Sequence, residues 1–462
     1  MISPLSAVKQ FWHCANGEQS RLEHISFEAT DQQLPSVFNV GALAGGSVGA
    51  QALAAAQLWH HRTGIQQDVT INMRHALALF CSESLQRLNG RPLADIRSPL
   101  TTFFQAGDGR WIQLHANFAH HRAGIVRVLG CDQSEASVRD AIGQWQAAHL
   151  DARLADEGLC AAMVRTEPEW LKLPAAQSVA DLPLFEIRRI GDGPPIPVGR
   201  NSVHRRPLSG VRVLDLSRVI AAPVAARTLA QHGAEVLAIS APHLPNIEPL
   251  LIDTGRGKRN AQLDLRNASD RTKMMSLCAD ADVFLQAYRP QALHDFGLIP
   301  EALVAANPGL IVVNLSAYGH LGPWANRRGF DSLVQSASGI AHAEGQAAQP
   351  GMPGKLPCQA LDHATGNLAA FATMMALERR AREGGSWMVR ISLAQTGHWL
   401  RAQQSSITTG SALTESEIQP WIQKSESPYG SIASIKPVEK MSATPPYFEI
   451  PASPVGTHAA QW

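Results

Sequence analysis

An α/β fold with a doubly wound, mainly parallel sheet and a smaller α+β domain is predicted by three observations. Apolar strands alternate with helices between residues 211 and 315, a helix–turn–strand unit occurs twice, and small apolar residues dominate both copies. Val211-Arg-Val-Leu-Asp-Leu216 alternates as a strand, and the helix from Pro223 to His232 is closed by Gly233. Glu235 to Ser240, Val283 to Gln286 and Leu310 to Leu315 are the next strands. Helices over about 267–279 and 300–306 separate them, the second opening at Pro300, whose fixed φ suits a first helical residue. Parallel neighbours need such crossovers, which place helices on the faces of the sheet.

The repeat has a constant offset of 320 residues, relating positions 42–73 to 362–393. Gly46 falls on Gly366, Arg62 on Arg382, Gly64 on Gly384, Val69 on Val389 and Ile71 on Ile391. Each copy reads as a long apolar helix, a glycine turn and an alternating strand. A second echo, Phe185-Glu186-Ile187 against Phe448-Glu449-Ile450, comes at a shorter offset and implies lost material in the second copy. The proline-rich stretch 193–199 places the division of the chain near Arg200 to Ser209, giving segments 1–205 and 206–462. Residues 402–446, rich in Ser, Thr, Pro and Lys, read as a mobile surface excursion.

Composition narrows the function classes. The 40 Lys+Arg against 39 Asp+Glu leave a net charge of +1, which excludes the electrostatic footprint of a general nucleic-acid binder. A hydrophobic content of 45% excludes disorder of the whole chain. Six scattered cysteines with no CxxC pair fit reduced thiols in a cytoplasmic protein. No basic region followed by an apolar run opens the chain, so no signal peptide is expected. Val40 to Trp59 is uncharged but built from Ala and Gly and ended by His60, His61 and Arg62. It is expected to be a buried helix, not a membrane span.

Candidate chemistry centres on Asp362, which precedes the apolar run Leu368 to Leu377. A helix N-terminus favours an anion there, so the residue type alone leaves two roles open, a helix cap or an anionic nucleophile. Arg256, Lys258 and Arg259 put three cations within four residues ahead of a strand, suited to phosphate or to a solvated face. No GxGxxG follows Leu216, which argues against a dinucleotide cofactor. Gly45-Gly-Ser47-Val-Gly49 formally matches a nucleophile elbow, but the preceding residues make a poor strand. Gly41, Gly45 and Gly49 instead suit close helix packing. The doublets His60-His61 and His120-His121 lack metal-ligand spacing and are read as surface or core histidines; no metal is expected.

An ordered set of stretches adds to this reading: Gly210 to Pro223, Arg256-Gly-Lys-Arg259 with Leu263-Asp-Leu265, Ala281-Asp-Val283, Tyr288-Arg-Pro290, Asn307-Pro-Gly309, Ser316 to Pro323, Gly329-Phe-Asp331 and Ala360 to Gly366. In this order they resemble the class III coenzyme A transferases, which include carnitine and formate CoA-transferases. Residues 40–130 resemble a later part of the same family, so 1–205 reads as a partial copy with a small domain. Residues 206–462 then read as the CoA-binding α/β domain with a shortened C-terminal part. The resemblance implies a homodimer that moves CoA from an acyl-CoA to a carboxylic acid acceptor, with no tightly bound cofactor and with CoA itself as substrate. It implies Asp362 as the nucleophile, and CoA contacts by Lys258 or Arg259, Arg218, Tyr288 and Arg289, with Val219 and Ala221 lining an apolar groove. At the repeat offset Asp362 falls on Ala42, so the first copy is expected to be catalytically silent.

Departures from the family pattern keep alternatives open. Ala287 stands where many members have Asn, and no run of three glycines is present. A covering loop is therefore expected from the first half, around Gly107-Asp-Gly109. Related α-methylacyl-CoA racemases use a histidine at the position of Phe330, and phenylalanine cannot accept a proton. Racemase-like chemistry and a non-catalytic CoA-ester-binding protein remain the alternatives.

Overall fold

The repeat folds as two long helices packed against each other. In the computed structural model, which describes residues 2–95, 97–199, 204–289, 291–403 and 410–462, the chain begins with α1 (Pro4–Cys14), β1 (Ile25–Glu28), α2 (Val40–Thr63), β2 (Val69–Asn72) and α3 (Met73–Leu79). A short hairpin, β3 (Arg87–Leu88) and β4 (Arg91–Pro92), leads to β5 (Phe103–Gln105), β6 (Trp111–Leu114), α4 (Ala119–Leu129), α5 (Glu135–Ile142), α6 (Ala147–Asp156) and β7 (Ala161–Met163). After β8 (Phe185–Gly191) comes the alternating segment: β9 (Arg212–Leu216), α7 (Ala221–Gln231), β10 (Glu235–Ser240), α8 (Glu248–Thr254) and β11 (Lys258–Gln262). It continues with α9 (Ala268–Ala279), β12 (Val283–Gln286), α10 (Pro300–Ala306), β13 (Ile311–Ser316), α11 (Asp331–Ala337), α12 (Ala360–Glu383), β14 (Ser386–Ser392) and α13 (Leu393–Ala402). The last strands are β15 (Ile422–Ser427), β16 (Gly430–Ile435) and β17 (Glu439–Met441).

The main sheet has seven strands in the order β11-β10-β9-β12-β13-β14-β8, parallel except for β8 at one edge. Strand order reverses between β9 and β12, the switch point where the loops leaving adjacent strands diverge and open a crevice. The smaller α+β domain is β5-β6-β7 with α4 to α6, and its own core includes Phe104, Ile112, Leu114, Ile125, Ile142 and Leu150.

Helices α2 and α12 are both 24 residues long and end before Gly64 and Gly384, as the offset predicts. Every residue from Val40 to Trp59 is buried by protein, which accounts for the absence of charge there. No described helix is long and apolar enough to cross a membrane. Ser47 lies inside α2, fully buried, with its hydroxyl donating to the Ala44 carbonyl at 3.3 Å, so GxSxG is helix and not an elbow.

Register extends the repeat. Ile391 pairs with Phe185 and Leu315, and its mate Ile71 pairs with Glu439 and Phe27. Thus β1-β2-β17 reproduces β13-β14-β8, without counterparts of β9 to β12. The Phe448-Glu449-Ile450 echo is not the equivalent of β8; β17 takes that place, and 448–450 form no strand. Three of the four sheets also join residues from both sides of position 205, so 1–205 and 206–462 are segments of sequence that share hydrogen bonds, not separate bodies.

One expectation changes here. The segment 402–446 is not an excursion: β15 and β16 extend the β3-β4 hairpin, and β17 completes the small repeat sheet, with Ile432, Ile435 and Met441 buried. Its Ser, Thr, Pro and Lys content hid a hairpin whose two buried isoleucines point to opposite faces, Ile432 toward Ile252 and Ala452, and Ile435 into the main core. Positions 404–409, within that expected excursion, Arg200 at the expected division and Pro290 of the Tyr-Arg-Pro motif lie outside the described residues.

Gly366 lets α12 approach α7. A Cβ there would sit 2.4 Å from the Ala221 carbonyl oxygen and 2.8 Å from Val224 Cβ. Alanine is the better helix former by about 1 kcal/mol, but a backbone oxygen cannot yield cheaply. Gly366→Ala is expected to lower stability by about 1–3 kcal/mol, read from the urea midpoint; an unchanged or raised midpoint would show that the two helices separate freely.

Candidate active site

Loops leaving the carboxyl ends of β9, β12 and β13 open a cleft of about 1320 Å3 at the switch point, and Asp362 lies in its wall. Residues after β9 (Arg218 to Ala222), after β12 (Ala287 to Arg289) and after β13 (Ser316, Ala317) line one side. The other side comes partly from the first half of the chain: Phe118, His120, His121 and Cys160. A second groove, about 580 Å3, shares Phe118, Arg218 and Val219 with the cleft and runs between β9, β10 and α8 past Asp215, Lys258 and Asn260.

Asp362 is the third residue of α12. Its own N–H donates to Asp331 Oδ2 at 2.9 Å, and Asp331 also holds the Gln335 side chain. In the repeat mate the equivalent N–H, that of Ala42, is capped locally by Asn39 Oδ1 at 2.9 Å. The N-cap position is Gln359, so the Asp362 carboxylate stands in the first turn and not at the cap, and no described side chain donates to it. At 7% exposure it still reaches the cleft. Burial first, then the charges of Asp331 and Glu83, hold its carboxyl well above the usual carboxylate range. Burial likewise pushes Asp331 up to about 6, opposed by the Asp362 N–H. The adjacent His363 points away, its Nε2 3.0 Å from Glu83 Oε2 and its ring stacked on Phe80.

The turn after β9 is strained. Val219 has φ +74°, a left-handed conformation that a β-branched residue adopts only when its surroundings impose it. Arg218 lies beside Phe118, with the guanidinium carbon 5.1 Å from the ring centroid, and α7 starts at Ala221, which lines the cleft. Arg218 Nε and one terminal nitrogen are buried without a partner, and burial lowers its pKa. Tyr288 and the exposed Arg289 face the same cleft.

The cations at 256–259 lie within β11 or just before it, not ahead of a strand at Leu263, and the strand's alternation separates them. Lys258 lines the groove, but its ammonium is 2.9 Å from Asp215 Oδ2 and 2.8 Å from the Pro223 carbonyl and is 2% exposed. Arg259 lies on the opposite face, paired with Glu235 at 2.6 Å, and lines neither cavity. Arg256 is buried against Asp253, Ser434 and the Ile435 carbonyl. The three therefore do not form one phosphate turn: two are spent on buried carboxylates and the third on a surface pair.

Composition and spacing missed the contribution of 115–121. His120 and His121, read as surface or core, are cleft residues, and His121 Nε2 accepts from Arg328 at 3.0 Å. Burial, with the charges of His120 and Arg328, pushes His121 down to about 3. Phe330 stacks on His115 at 3.7 Å and walls the cleft. The covering segment is this one, not Gly107-Asp-Gly109, whose Asp108 accepts from the Ala147 N–H inside the small domain. Only its repeat alignment to the family's later part connects 115–121 with the site in advance. Among the described residues no group of three or more His, Cys, Asp and Glu side chains is placed to hold a metal ion.

Comparison with known proteins gives four findings. The model of CoA-transferase family III matches residues 20–194 and 208–430. An acetyl-coenzyme A transferase of Hypoxylon pulicicidum is 27% identical over 390 residues, 74% of this chain and 65% of the relative. A "probable fatty acyl-CoA transferase" of Mycobacterium tuberculosis is 34% identical over 212 residues, 43% of this chain and 53% of the relative. A crystal structure of a Mycobacterium tuberculosis protein, 33% identical, superposes with a TM-score of 0.40 over 43% of this chain and 58% of its own. The chain thus spans between about half and two thirds of the length of these relatives.

The two buried carboxyls make stability pH-dependent in a definite direction. Their folded-state pKa values are raised, so the fold is favoured at low pH and loses stability as pH rises through about 6 for Asp331 and higher for Asp362. Asp362→Asn is expected to melt above the wild type at pH 8, by the equivalent of about 1–3 kcal/mol, with the gap closing toward about pH 4. A gap that does not change with pH, measured by thermal denaturation, would show that the carboxylate is not desolvated.

Proposed function

The chain belongs to CoA-transferase family III, and on that premise we propose that it moves CoA from an acyl-CoA thioester to a carboxylic acid, with Asp362 as nucleophile. The observation that carries this reading is an uncommitted, desolvated carboxylate in the wall of the switch-point cleft, its helix capped by another residue. Relatives named for acetyl-coenzyme A and fatty acyl-CoA transfer support acyl-CoA as the donor class.

An Asp362 carboxylate oxygen attacks the thioester carbonyl; the C–S bond breaks and CoA leaves as thiolate, giving a mixed anhydride. The thiolate then attacks the Asp362 carbonyl of that anhydride, the donor acid departs as carboxylate, and an aspartyl-CoA thioester remains. The acceptor carboxylate attacks this thioester, releasing thiolate and forming a second anhydride. Attack of thiolate on the acceptor carbonyl yields the new acyl-CoA and restores Asp362. Burial serves the first step, because a carboxylate poorly solvated in its ground state is the stronger nucleophile.

The CoA chain is proposed to follow Val219 and Ala221, with Arg218, Tyr288 and Arg289 on its polar parts and the adjoining groove taking the nucleotide end. Lys258 acts there through Asp215 and the Pro223 carbonyl, shaping the groove floor, and Arg259 has no part in the contact. Racemase-like chemistry meets Phe330 where a base is required.

Asp362→Ala is expected to lower CoA transfer by about 10³-fold or more while calorimetry still detects CoA binding. Hydroxylamine added during turnover is expected to leave a hydroxamate on the peptide containing Asp362, seen by mass spectrometry. CoA binding with no adduct from any acyl-CoA would replace the transferase with a binding protein; α-deuterium exchange without transfer would replace it with the racemase.

A further inference from the structure

Two cysteines from opposite halves of the chain meet beside the first turn of α12. Cys81 lies in the turn after α3, just before the short helix Ser82–Leu85, and Cys358 immediately precedes Gln359, the N-cap of α12. Contacts on both sides of Cys81 fix its turn against the helix start. Phe80 stacks on His363 with ring centroids 5.3 Å apart, and Glu83 Oε2 is 3.0 Å from His363 Nε2. Cys358 belongs to the core cluster against which Cys81 packs, and the two thiols share a hydrogen bond. Both are free thiols.

The two differ in access: Cys358 is buried and Cys81 half-buried. The bond to Cys81, then burial and the charges of Glu83 and Asp331, hold the Cys358 thiol well above its usual range, so it stays protonated. An oxidant therefore meets Cys81 first, with Cys358 in place to resolve the product. A thiol open to solvent next to a resolving thiol is the arrangement of a reversible redox site.

We propose that Cys81 and Cys358 form a reversible disulfide on exposure to a hydroperoxide, tying the first half of the chain to the start of the nucleophile's helix and stopping turnover. The hydroperoxide passes one oxygen to the Cys81 sulfur, giving a sulfenic acid and releasing an alcohol, or water where the oxidant is hydrogen peroxide. The Cys358 sulfur then attacks the Cys81 sulfur; the S–O bond breaks, and the hydroxyl leaves as water with the Cys358 proton. Two thiols lose two electrons and one O–O bond gains them. A dithiol reductant reopens the bridge by exchange.

A disulfide is shorter than the thiol–thiol contact it replaces, so one flank has to move. On the α12 side Cys358 stands four residues before Asp362, whose N–H is held by Asp331 at 2.9 Å. Moving this turn displaces the carboxylate in the cleft wall. A shift of about 1 Å at a reacting group costs on the order of 100-fold in rate. This loss of transfer rests on the role proposed for Asp362; the bridge itself does not.

The bridge is read without turnover. The full chain is treated with hydrogen peroxide, desalted, alkylated, digested and mapped by mass spectrometry. The expected product joins the peptides containing Cys81 and Cys358, two hydrogens lighter than their sum, and is lost after dithiothreitol. Cys358→Ser is expected to leave Cys81 as a sulfenic acid that dimedone traps. In the transfer assay, peroxide is expected to slow the wild type by about 100-fold and dithiothreitol to restore it. Cys81→Ser, a change at a half-buried position with folding checked by thermal melting, is expected to keep its rate through the treatment. Both thiols remaining open to alkylation, with no joined peptide, would overturn the proposal, as would a bridged chain that transfers as fast as the untreated one. A bridge formed in a chain that transfers nothing before oxidation would support the redox site and remove the transferase reading.

Discussion

The N-terminus of a buried helix has to be satisfied, and in this protein that need is met by the Asp331 carboxylate, which accepts from the Asp362 and Leu361 N–H groups. Helix α12 is buried along most of its length between α2 and α7, so water cannot serve its first turn. The first copy solves the same problem locally with Asn39. In the second copy the cap arrives from α11, thirty-one residues earlier in the chain, and brings the loop carrying Arg327, Arg328 and Phe330 with it. Position, desolvation and surroundings of the Asp362 carboxylate all follow from this arrangement. The cap is itself an acid, so it raises the neighbouring carboxyl's pKa while it holds the backbone.

The internal repeat explains why the two halves of the chain depend on each other. The first copy keeps the long helix and three strands, and among the described residues it lacks counterparts of the strands that make the switch point. It contributes a packing partner for α12 and, through the small domain, the 115–121 segment that walls the cleft. Gln57 donates to the Glu378 carboxylate between the paired helices, and Gln51, His232 and Glu439 form a second buried polar contact across the halves. Such contacts have few alternatives once desolvated and fix how the copies meet.

Charge is distributed by the same logic. Arg227 and Arg256 converge on the fully buried Asp253, and Lys258 on Asp215, so these cations are structural despite their motif-like spacing. Arg218 is left with donors unmatched, and it faces the cleft. In a low-dielectric wall the informative cation is the one without a carboxylate, which spacing in the sequence does not distinguish.

Much was legible from the residues alone. The period of the strands from Val211 to Leu315, Pro300 as a helix start, the glycine stops and the offset of 320 are local or self-referential features, and each corresponds to an element with nearly the expected bounds. Asp362 was identifiable as a carboxylate at a helix start, but whether it capped that helix depended on Asp331. What only the tertiary structure decided is pairing across distance: that β17 and not Phe448-Glu449-Ile450 matches β8, that the cations at 256–259 point apart, and that His121 and Arg328 meet. A sequence records which groups a chain carries and how often they recur. Whether a charge is cancelled, or a histidine lies in a cleft, depends on residues hundreds of positions away, and only packing brings those together.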